Sequence, residues 1–359
     1  MRDLKSFEKD LNKCSKCGLC QSVCPVFKLT KNECTVSKGK FLMLHGVTKG
    51  DLKLSKKINK YIDMCLKCQK CKNFCPSDID VCQILYTAKF EYNNSKFFPK
   101  LVRFLQSDLI FGNLIKFTQK IRNKKQIIKS NCQNLVYFKG CVNEIFPNTY
   151  KYLKKILGNY PINIITPDFK CCGIPFLSEG NLKQFEQNAK YNIEKLSQEY
   201  DYIVTDCSSC ESTLLDYPKY IENFNINSKK FINWGEFIAK NNFKFSFNKP
   251  VKVTFHKPCH LKNDNFFAKI INNCTNVEYI KMKDYDECCG FSGTFAIKNP
   301  KLSKELIKQK AQNIIDTGAD YVITTCPSCI AGLKLGLFGK KIKTVSLLEF
   351  LSKADKIEY

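Results

Sequence analysis

Cysteine spacing constrains this chain more than any other feature. Two runs near the N-terminus, CSKCGLCQSVCP and CLKCQKCKNFCP, share the pattern C-x2-C-x2-C-x3-C-P. In such a run three thiolates bind one iron–sulfur cubane, and the fourth cysteine, next to the proline, binds the other cluster. Zinc is the alternative that C-x2-C alone leaves open, but two complete copies with both prolines favour two [4Fe–4S] clusters. The predicted ligands are Cys14, Cys17, Cys20 and Cys75 for cluster 1 and Cys24, Cys65, Cys68 and Cys71 for cluster 2.

The other cysteines also point to metal binding rather than to disulfides. The chain has 22 cysteines, and its charged N-terminus lacks the apolar core of a secretory signal. No apolar run reaches the roughly 18 residues of a membrane span, so we expect a cytoplasmic protein with reduced thiols. Two cysteine pairs are adjacent, at 171–172 and 288–289, each followed by glycine. Neighbouring Cα atoms are about 3.8 Å apart, which is too close for an ordinary disulfide.

An internal repeat follows residue 130. The first copy contains LVYFKGC, CCGIPFLSEG and DYIVTDCSSC, and the second contains VTFHKPC, CCGFSGTFAI and DYVITTCPSC. Each copy therefore has the order C, CCG, C-x2-C, and the break between copies falls near Pro250. The candidate metal ligands are Cys141, Cys171, Cys172, Cys207 and Cys210 in the first copy and Cys259, Cys288, Cys289, Cys326 and Cys329 in the second.

Each copy alternates short β-rich runs, such as NLVYF, INIIT and YIVT, with helical segments, which predicts βαβ units and a parallel sheet. The cysteines follow the strands. Loops at the carboxyl ends of parallel strands open on one edge of the sheet, so we expect the five thiols of a copy to meet. Gly173 and Gly290 would let the chain turn through positive φ. Each C-x2-C would open a helix, whose N-terminus favours thiolate.

The number of thiols leaves the cluster type open. A cubane takes four cysteines, whereas each copy offers five, so either one thiol is spare or the cluster is noncubane with a bridging thiolate. We predict one or two further [4Fe–4S] clusters here. His256 and His260 flank Cys259, and a contact to a cluster ligand, a proton relay and a structural role all stay open for them. No motif assigns a role to Cys34, Cys82, Cys132 or Cys274.

These motifs resemble known families over nearly the full length. The CCG repeats are similar to the cysteine-rich domains of heterodisulfide reductase subunits, which hold noncubane [4Fe–4S] clusters on five cysteines. The whole chain resembles the iron–sulfur subunits of glycolate oxidase, anaerobic glycerol-3-phosphate dehydrogenase and related D-lactate enzymes. It departs from the glycolate pattern at SKGK (37–40), where those subunits have a Pro-Arg-Gly-Arg-like segment.

The predicted fold class is α+β with α/β. A helical bacterial-type 2[4Fe–4S] ferredoxin domain (1–92) precedes an amphipathic helical connector (93–130), which either packs between domains or lies on a membrane surface. Two tandem α/β cysteine-rich CCG domains (131–249 and 250–359), related by the repeat, complete the chain.

The resemblance implies an oxidoreductase subunit that passes electrons from an FAD-binding dehydrogenase subunit to a quinone or another membrane-associated acceptor. The sequence lacks a GxGxxG flavin fingerprint, so oxidation of glycolate or lactate would need that partner. A heterodisulfide-reductase-like enzyme that acts on a disulfide at the CCG clusters is the alternative. The net charge of +25 is spread over scattered lysines. This favours docking to an acidic partner or the cytoplasmic face of the inner membrane over binding of nucleic acid.

Overall fold

The computed structural model describes residues 3–94, 132–145, 148–196, 200–222, 224 and 227–359. The connector predicted at 93–130 lies outside this part of the chain apart from residues 93–94. None of the described helices combines the length and the apolar character needed to cross a membrane.

The N-terminal part is helical. Its helices are α1 (Glu8–Asn12), α2 (Leu19–Val23), α3 (Pro25–Thr30), α4 (Ser37–Lys49), α5 (Lys56–Asp63), α6 (Lys70–Asn73) and α7 (Val81–Asn94). Pro25 opens α3, where its fixed φ suits the first helical position and its missing N–H costs nothing. The helices pack around a core that includes Phe7, Leu44 and Leu85. The helical ferredoxin-type architecture predicted from the sequence is confirmed.

The first repeat forms a parallel sheet of four strands in the order β2-β1-β3-β4. Its elements are β1 (Gln133–Tyr137), α8 (Cys141–Ile145), α9 (Thr149–Leu157), β2 (Ile162–Ile165), α10 (Ile174–Ser178), α11 (Leu182–Lys195), β3 (Tyr202–Thr205), α12 (Ser208–Asp216), β4 (Phe231–Asn233) and α13 (Trp234–Lys240). Strands β1, β2 and β3 coincide with the predicted β-rich runs, since strands of a parallel sheet carry near-continuous apolar residues.

The second repeat has the same order, β6-β5-β7-β8, with a further strand β9 antiparallel to β5. Its elements are β5 (Lys244–Phe255), α14 (Asn265–Asn272), β6 (Cys274–Tyr279), α15 (Thr294–Lys298), α16 (Pro300–Ile315), β7 (Tyr321–Thr324), α17 (Pro327–Gly336), β8 (Lys343–Ser346), α18 (Leu347–Leu351) and β9 (Lys356–Glu358). The predicted domain boundary at residue 250 falls inside β5. Pro250 cannot donate to a ladder, and the register with β6 shifts between Ser246 and Val251.

The two sheets share one hydrophobic core. Tyr137 and Trp234 of the first repeat lie in the same buried cluster as Val253 and Phe255 of the second. The rings of Tyr137 and Trp234 meet edge to face, with centroids 5.7 Å apart. The repeats therefore pack as one two-sheet unit.

Ion pairs join the helical part to both repeats. Asp63 at the end of α5 pairs with Lys89 of α7 at 2.7 Å and with Lys298 of the second repeat at 3.2 Å. Lys298 also pairs with Glu179 of the first repeat. Burial opposes the charge on Asp63, but the two lysines outweigh burial and hold the pKa of this carboxyl below its ordinary value. The network fixes the ferredoxin-type runs against the cysteine-rich repeats.

Candidate metal centres

The predicted ligands of cluster 2 line one cavity. Cys24, Cys65, Cys68 and Cys71 all face it, and Ser37 Oγ donates a hydrogen bond to Cys71 Sγ at 3.1 Å. Burial raises the pKa of Cys24, of Cys68 and of Cys71, the last to about 12. Burial acts on Cys65 as well, but the charges of Lys67 and Lys40 outweigh it and lower the pKa of Cys65, and a bound metal would favour the thiolate form of all four cysteines.

The predicted ligands of cluster 1 lie near one another at the edge of the same core. The pKa of Cys20 is raised by burial and by the neighbouring thiols of Cys14 and Cys17. Cys75 packs against the same core cluster as Cys14, and Ser77 Oγ donates to the carbonyl just before Cys14 at 2.9 Å. The segment after Cys75 thus contacts the first run, and the assignment of Cys75 to cluster 1 stays a prediction.

All five motif cysteines of the first repeat are in contact. Cys141 Sγ lies 3.4 Å from Cys171 Sγ. The thiols of Cys171 and Cys210 donate hydrogen bonds to Cys172 and lower its pKa well below the ordinary value. Cys207 completes the set through a contact with Cys210. Three loops distant in sequence therefore converge at one sheet edge.

The second repeat reproduces this arrangement. The thiol of Cys259 bonds to Cys288, and the thiols of Cys288 and Cys329 donate to Cys289 and lower its pKa. Cys329 also bonds to Cys326. The expected convergence of five thiols is confirmed in both repeats. Which of these thiols bind iron stays a prediction.

The glycine of each CCG turn has the conformation predicted for it. Gly173 has a φ of +93° and Gly290 a φ of +85°, a region that other L-residues enter at a cost. Space is limiting as well. A Cβ on Gly290 would lie 2.6 Å from Leu306 Cβ and 3.0 Å from the backbone nitrogen of Ile307. The turn lets adjacent cysteines serve one site although neighbours on a strand face opposite ways.

Each C-x2-C motif opens a helix, as predicted, and the two helix starts meet. Cys207 is the N-cap of α12 and Cys326 is the N-cap of α17. The Ser208 N–H donates to the Thr325 carbonyl at 3.1 Å. The thiol of Cys207 donates to Cys326 and, with the thiol of Cys329, lowers the pKa of Cys326. The two CCG sites therefore adjoin.

Cluster 2 adjoins the second CCG site. The pKa of Cys68 is raised well above its ordinary value by burial and by the facing thiols of Cys259 and Cys288. Cys24 and Cys68 pack in the same buried cluster as these two cysteines. Burial and, to a smaller extent, the thiol of Cys20 in cluster 1 raise the pKa of Cys71 in cluster 2, so the predicted centres follow one another from cluster 1 through cluster 2 to the second and then the first CCG site.

His260 connects the three parts at this junction. Its Nδ1 lies 3.1 Å from Ser209 Oγ, between the two cysteines of the first C-x2-C, and its Nε2 lies 3.1 Å from the carbonyl of Lys67. His260 thus holds the loop of Cys259 against both neighbouring sites. His256 is fully buried, and burial lowers the pKa of its ring to about 3.

Two buried lysines near the thiols were missed by sequence reasoning. Lys40 lines the cavity of cluster 2. Burial lowers its pKa, while the thiols of Cys65 and Cys24 act in the opposite direction. Lys310 of α16 is buried near the second CCG site and donates to the Asp284 carbonyl. Both lie in ordinary helices, so no sequence signal separates them from surface lysines.

Two half-buried carboxyls beside the first C-x2-C were also missed. Burial raises the pKa of Asp206 to about 7 and that of Glu211 to about 8. The hydroxyl of Tyr137 donates to Asp206 at 3.0 Å. The corresponding residues of the second repeat are Thr325 and Ile330, so the two CCG sites differ in their polar surroundings.

The cysteines without a motif have mixed positions. Cys82 lines the cavity of cluster 2, and its thiol lies 3.8 Å from the Lys67 carbonyl. Cys274 begins β6 away from the sheet edge that carries the thiols, and its thiol donates to the Ile270 carbonyl at 3.2 Å. Cys34 lies in a 3-10 helix and Cys132 just before β1.

Comparison with known proteins matches all three cysteine-rich regions. Residues 10–79 match the family described as 4Fe-4S dicluster domain. Residues 135–215 and 253–334 both match the cysteine-rich domain family CCG. This chain therefore contains a 4Fe–4S dicluster domain followed by two CCG cysteine-rich domains. The resemblance identified from the motifs is therefore confirmed.

The chain is similar to several iron–sulfur proteins over most of its length. It is 28% identical to a fumarate reductase (CoM/CoB) subunit of Methanothermobacter marburgensis, over 96% of this chain and 73% of that one. It is 20% identical to the probable glycolate oxidase iron-sulfur subunit of Bacillus subtilis, over 97% and 94%. It is 25% identical to a lactate utilization protein of Oceanobacillus iheyensis, over 60% and 95%.

A solved structure shares the fold. A hypothetical protein from Helicobacter pylori superposes with a TM-score of 0.53 at 12% identity, covering 88% of this chain and 66% of that one. The donor chemistry fits several [4Fe–4S] clusters, because clustered thiols with cysteine as the dominant donor are what iron–sulfur centres require. Such clusters supply one-electron redox chemistry. The chain would supply their thiolates, and it places the buried side chains of Lys40 and Lys310 near them.

Proposed function

We propose that this protein is the iron–sulfur subunit of a flavin-dependent 2-hydroxyacid dehydrogenase of the glycolate or lactate type. It would pass electrons between an FAD-binding partner subunit and a quinone or another membrane-associated acceptor. Cys14, Cys17, Cys20 and Cys75 would bind the first [4Fe–4S] cluster and Cys24, Cys65, Cys68 and Cys71 the second. The five motif cysteines of each CCG domain would bind one further cluster.

The succession of thiol sites carries this proposal. Cys68 faces Cys259 and Cys288, and Cys207 bonds to Cys326, so adjacent centres would lie close enough for single-electron steps. Similarity to a glycolate oxidase iron-sulfur subunit and to a lactate utilization protein supports the substrate class. The net charge of +25 favours docking to an acidic partner or an anionic membrane face.

A heterodisulfide-reductase-like activity is the second candidate. Both repeats keep all five cysteines, and the two sites adjoin at Cys207 and Cys326. A disulfide could therefore meet two redox centres at once. Similarity to a fumarate reductase (CoM/CoB) subunit over 96% of the chain supports the same alternative.

Activity of anaerobically purified protein separates the two candidates. The chain would be purified from its own host with and without co-purifying subunits, analysed for FAD, and assayed with glycolate or D-lactate and a quinone analogue. We expect turnover only in a preparation that contains a flavoprotein. Hydroxyacid oxidation by the isolated, flavin-free chain would overturn the proposal. Disulfide reduction by the isolated chain with reduced viologen would support the second candidate instead.

A matched pair of variants tests the route. Cys68→Ser removes the predicted cluster 2 ligand that faces the second CCG site, and Cys274→Ser removes a half-buried thiol that belongs to no motif. In the complex, Cys68→Ser should lower quinone reduction at least tenfold while leaving FAD bound, and Cys274→Ser should keep the wild-type rate. Equal rates of quinone reduction for the two variants would show that electron transfer does not depend on Cys68.

A further inference from the structure

The imidazole of His256 lies at the second CCG site, and the electron-transfer proposal assigns it no role. The side chain is fully buried. Among the described residues, neither ring nitrogen makes a well-formed hydrogen bond, and such buried polar groups are rare. A ring nitrogen and the sulfurs of Cys289 and Cys329 all lie within 4.8 Å of one another.

This spacing suits a single shared metal ion. Two ligand atoms bound tetrahedrally to one metal at about 2.0–2.3 Å lie roughly 3.5–3.8 Å apart, a distance that small side-chain shifts would reach here. Metal-bound histidines usually donate their second N–H to a backbone carbonyl or a carboxylate. The carbonyl of Tyr285, which also accepts a hydrogen bond from the Lys257 N–H at 3.0 Å, lies beside the ring and favours its protonated form, and it is placed for that role. The ammonium of Lys310, whose charge also acts on this ring, donates a hydrogen bond to the Asp284 carbonyl.

The first repeat lacks this imidazole. Phe138 and His256 each precede the first cysteine of their repeat by three residues. The Phe138 N–H donates to the Val204 carbonyl at 2.8 Å, and the His256 N–H donates to the Ile323 carbonyl at 2.9 Å. The two backbone positions are therefore equivalent, and Phe138 is as buried as His256. The first CCG site offers thiols where the second offers thiols and one imidazole.

We propose that His256 supplies a nitrogen ligand to the iron held by Cys289 and Cys329, which makes the two CCG clusters chemically different. The proposal rests on iron binding by the second CCG site. An imidazole ligand that takes the place of one of the five thiolates would raise the reduction potential of this cluster. The second CCG cluster is then easier to reduce than an all-cysteine cluster in the same place, and it would hold the electron that arrives from cluster 2.

Pulsed EPR of the anaerobic, full-length protein tests the ligand directly. The chain has three histidines, so growth with 15N-histidine labels few positions. We expect a nitrogen hyperfine coupling of the size found for iron-bound imidazole, and this coupling should change as expected when 14N is replaced by 15N. It should be lost in His256→Phe, which introduces the residue that the first repeat has at this position. His45→Gln, in α4 of the ferredoxin domain, is the matched control and should keep the coupling. In His256→Phe the potential of the affected cluster should fall.

The remaining outcomes overturn the proposal in distinguishable ways. A coupling of only the size of a hydrogen-bonded nitrogen in the wild type would make His256 a neighbour rather than a ligand. Loss of the coupling in His260→Gln instead of His256→Phe would assign it to the other imidazole. About eight rather than sixteen irons per chain would show that the CCG sites hold no cluster, and this result would also overturn the four-cluster proposal. If His256→Phe fails to fold, His256→Gln and the wild-type spectrum still decide.

Discussion

Gly290→Ala should destabilise the second CCG domain more than its backbone conformation alone explains. A left-handed φ costs a non-glycine residue about 1–2 kcal/mol. At Gly290, where φ is +85°, the new Cβ would also lie 2.6 Å from Leu306 Cβ, 3.0 Å from the Ile307 nitrogen and 3.1 Å from the Ser303 carbonyl oxygen. Overpacking of this kind adds about 1–3 kcal/mol, so the total should be about 2–5 kcal/mol.

Gly339→Ala is the matched control. Gly339 has a φ of +75°, and a Cβ there would meet nothing within 4 Å, so only the conformational cost of about 1–2 kcal/mol applies. The entropy that alanine removes from the unfolded chain is similar at both positions and cancels in the comparison. The difference of about 1–3 kcal/mol thus isolates the clash behind the CCG turn.

Urea unfolding of the anaerobic protein, followed by circular dichroism, would measure both variants, with iron determined per chain. Gly290→Ala should unfold at a lower urea concentration than Gly339→Ala and should lose about four irons. Gly339→Ala should keep its iron. Unfolding free energies for the two variants that agree within about 0.5 kcal/mol, with full iron in both, would refute the idea that the turn is sterically determined.

Three further substitutions test separate parts of the structure. Cys289→Ser should remove about four irons or convert the second CCG cluster to another cluster type, because a hydroxyl is a poor iron ligand. Cys274→Ser should keep the wild-type EPR spectrum, and wild-type spectra for both variants would make Cys289 the spare thiol. Lys40→Met removes a cation beside cluster 2 and should lower the reduction potential of that cluster by roughly 40–130 mV, the equivalent of about 1–3 kcal/mol. An EPR redox titration would measure it with the other clusters as internal references, and an unchanged potential of cluster 2 would contradict this prediction. Asp63→Asn leaves the buried Lys89 without its charged partner and should lower the free energy of urea unfolding by about 2–4 kcal/mol. Glu278→Gln, which breaks the exposed pair with Lys252, should change it by less than about 0.5 kcal/mol, and equal effects would show that the network around Asp63 stabilises the fold no more than an exposed pair does.

Much of the local structure could be predicted from the sequence because short-range rules govern it. Buried apolar runs specified the parallel strands, and the glycines after the cysteine pairs specified the turns, where Gly173 and Gly290 have positive φ. The C-x2-C spacing specified helix starts, with Cys207 and Cys326 as N-caps.

Long-range packing decides what the sequence could not reveal. The meeting of Cys207 with Cys326 depends on how two sheets share one core, and no local pattern encodes that. Lys40 resembles any helical lysine until the fold buries it in the cavity of cluster 2. Strand β9 was not predicted, because KIE is too short to distinguish from a loop. The two nitrogens of His256 become noticeable only once burial removes water as their partner.

Iron and acid-labile sulfide analysis of the anaerobically purified chain tests the central claim most directly. Two dicluster sites and two CCG sites predict about sixteen irons per chain, with a similar amount of sulfide. Low-temperature EPR should then resolve signals beyond those of two ferredoxin-type cubanes. Stoichiometric zinc with only trace iron, or about eight irons that all belong to ferredoxin-type clusters, would contradict a chain of four iron–sulfur centres.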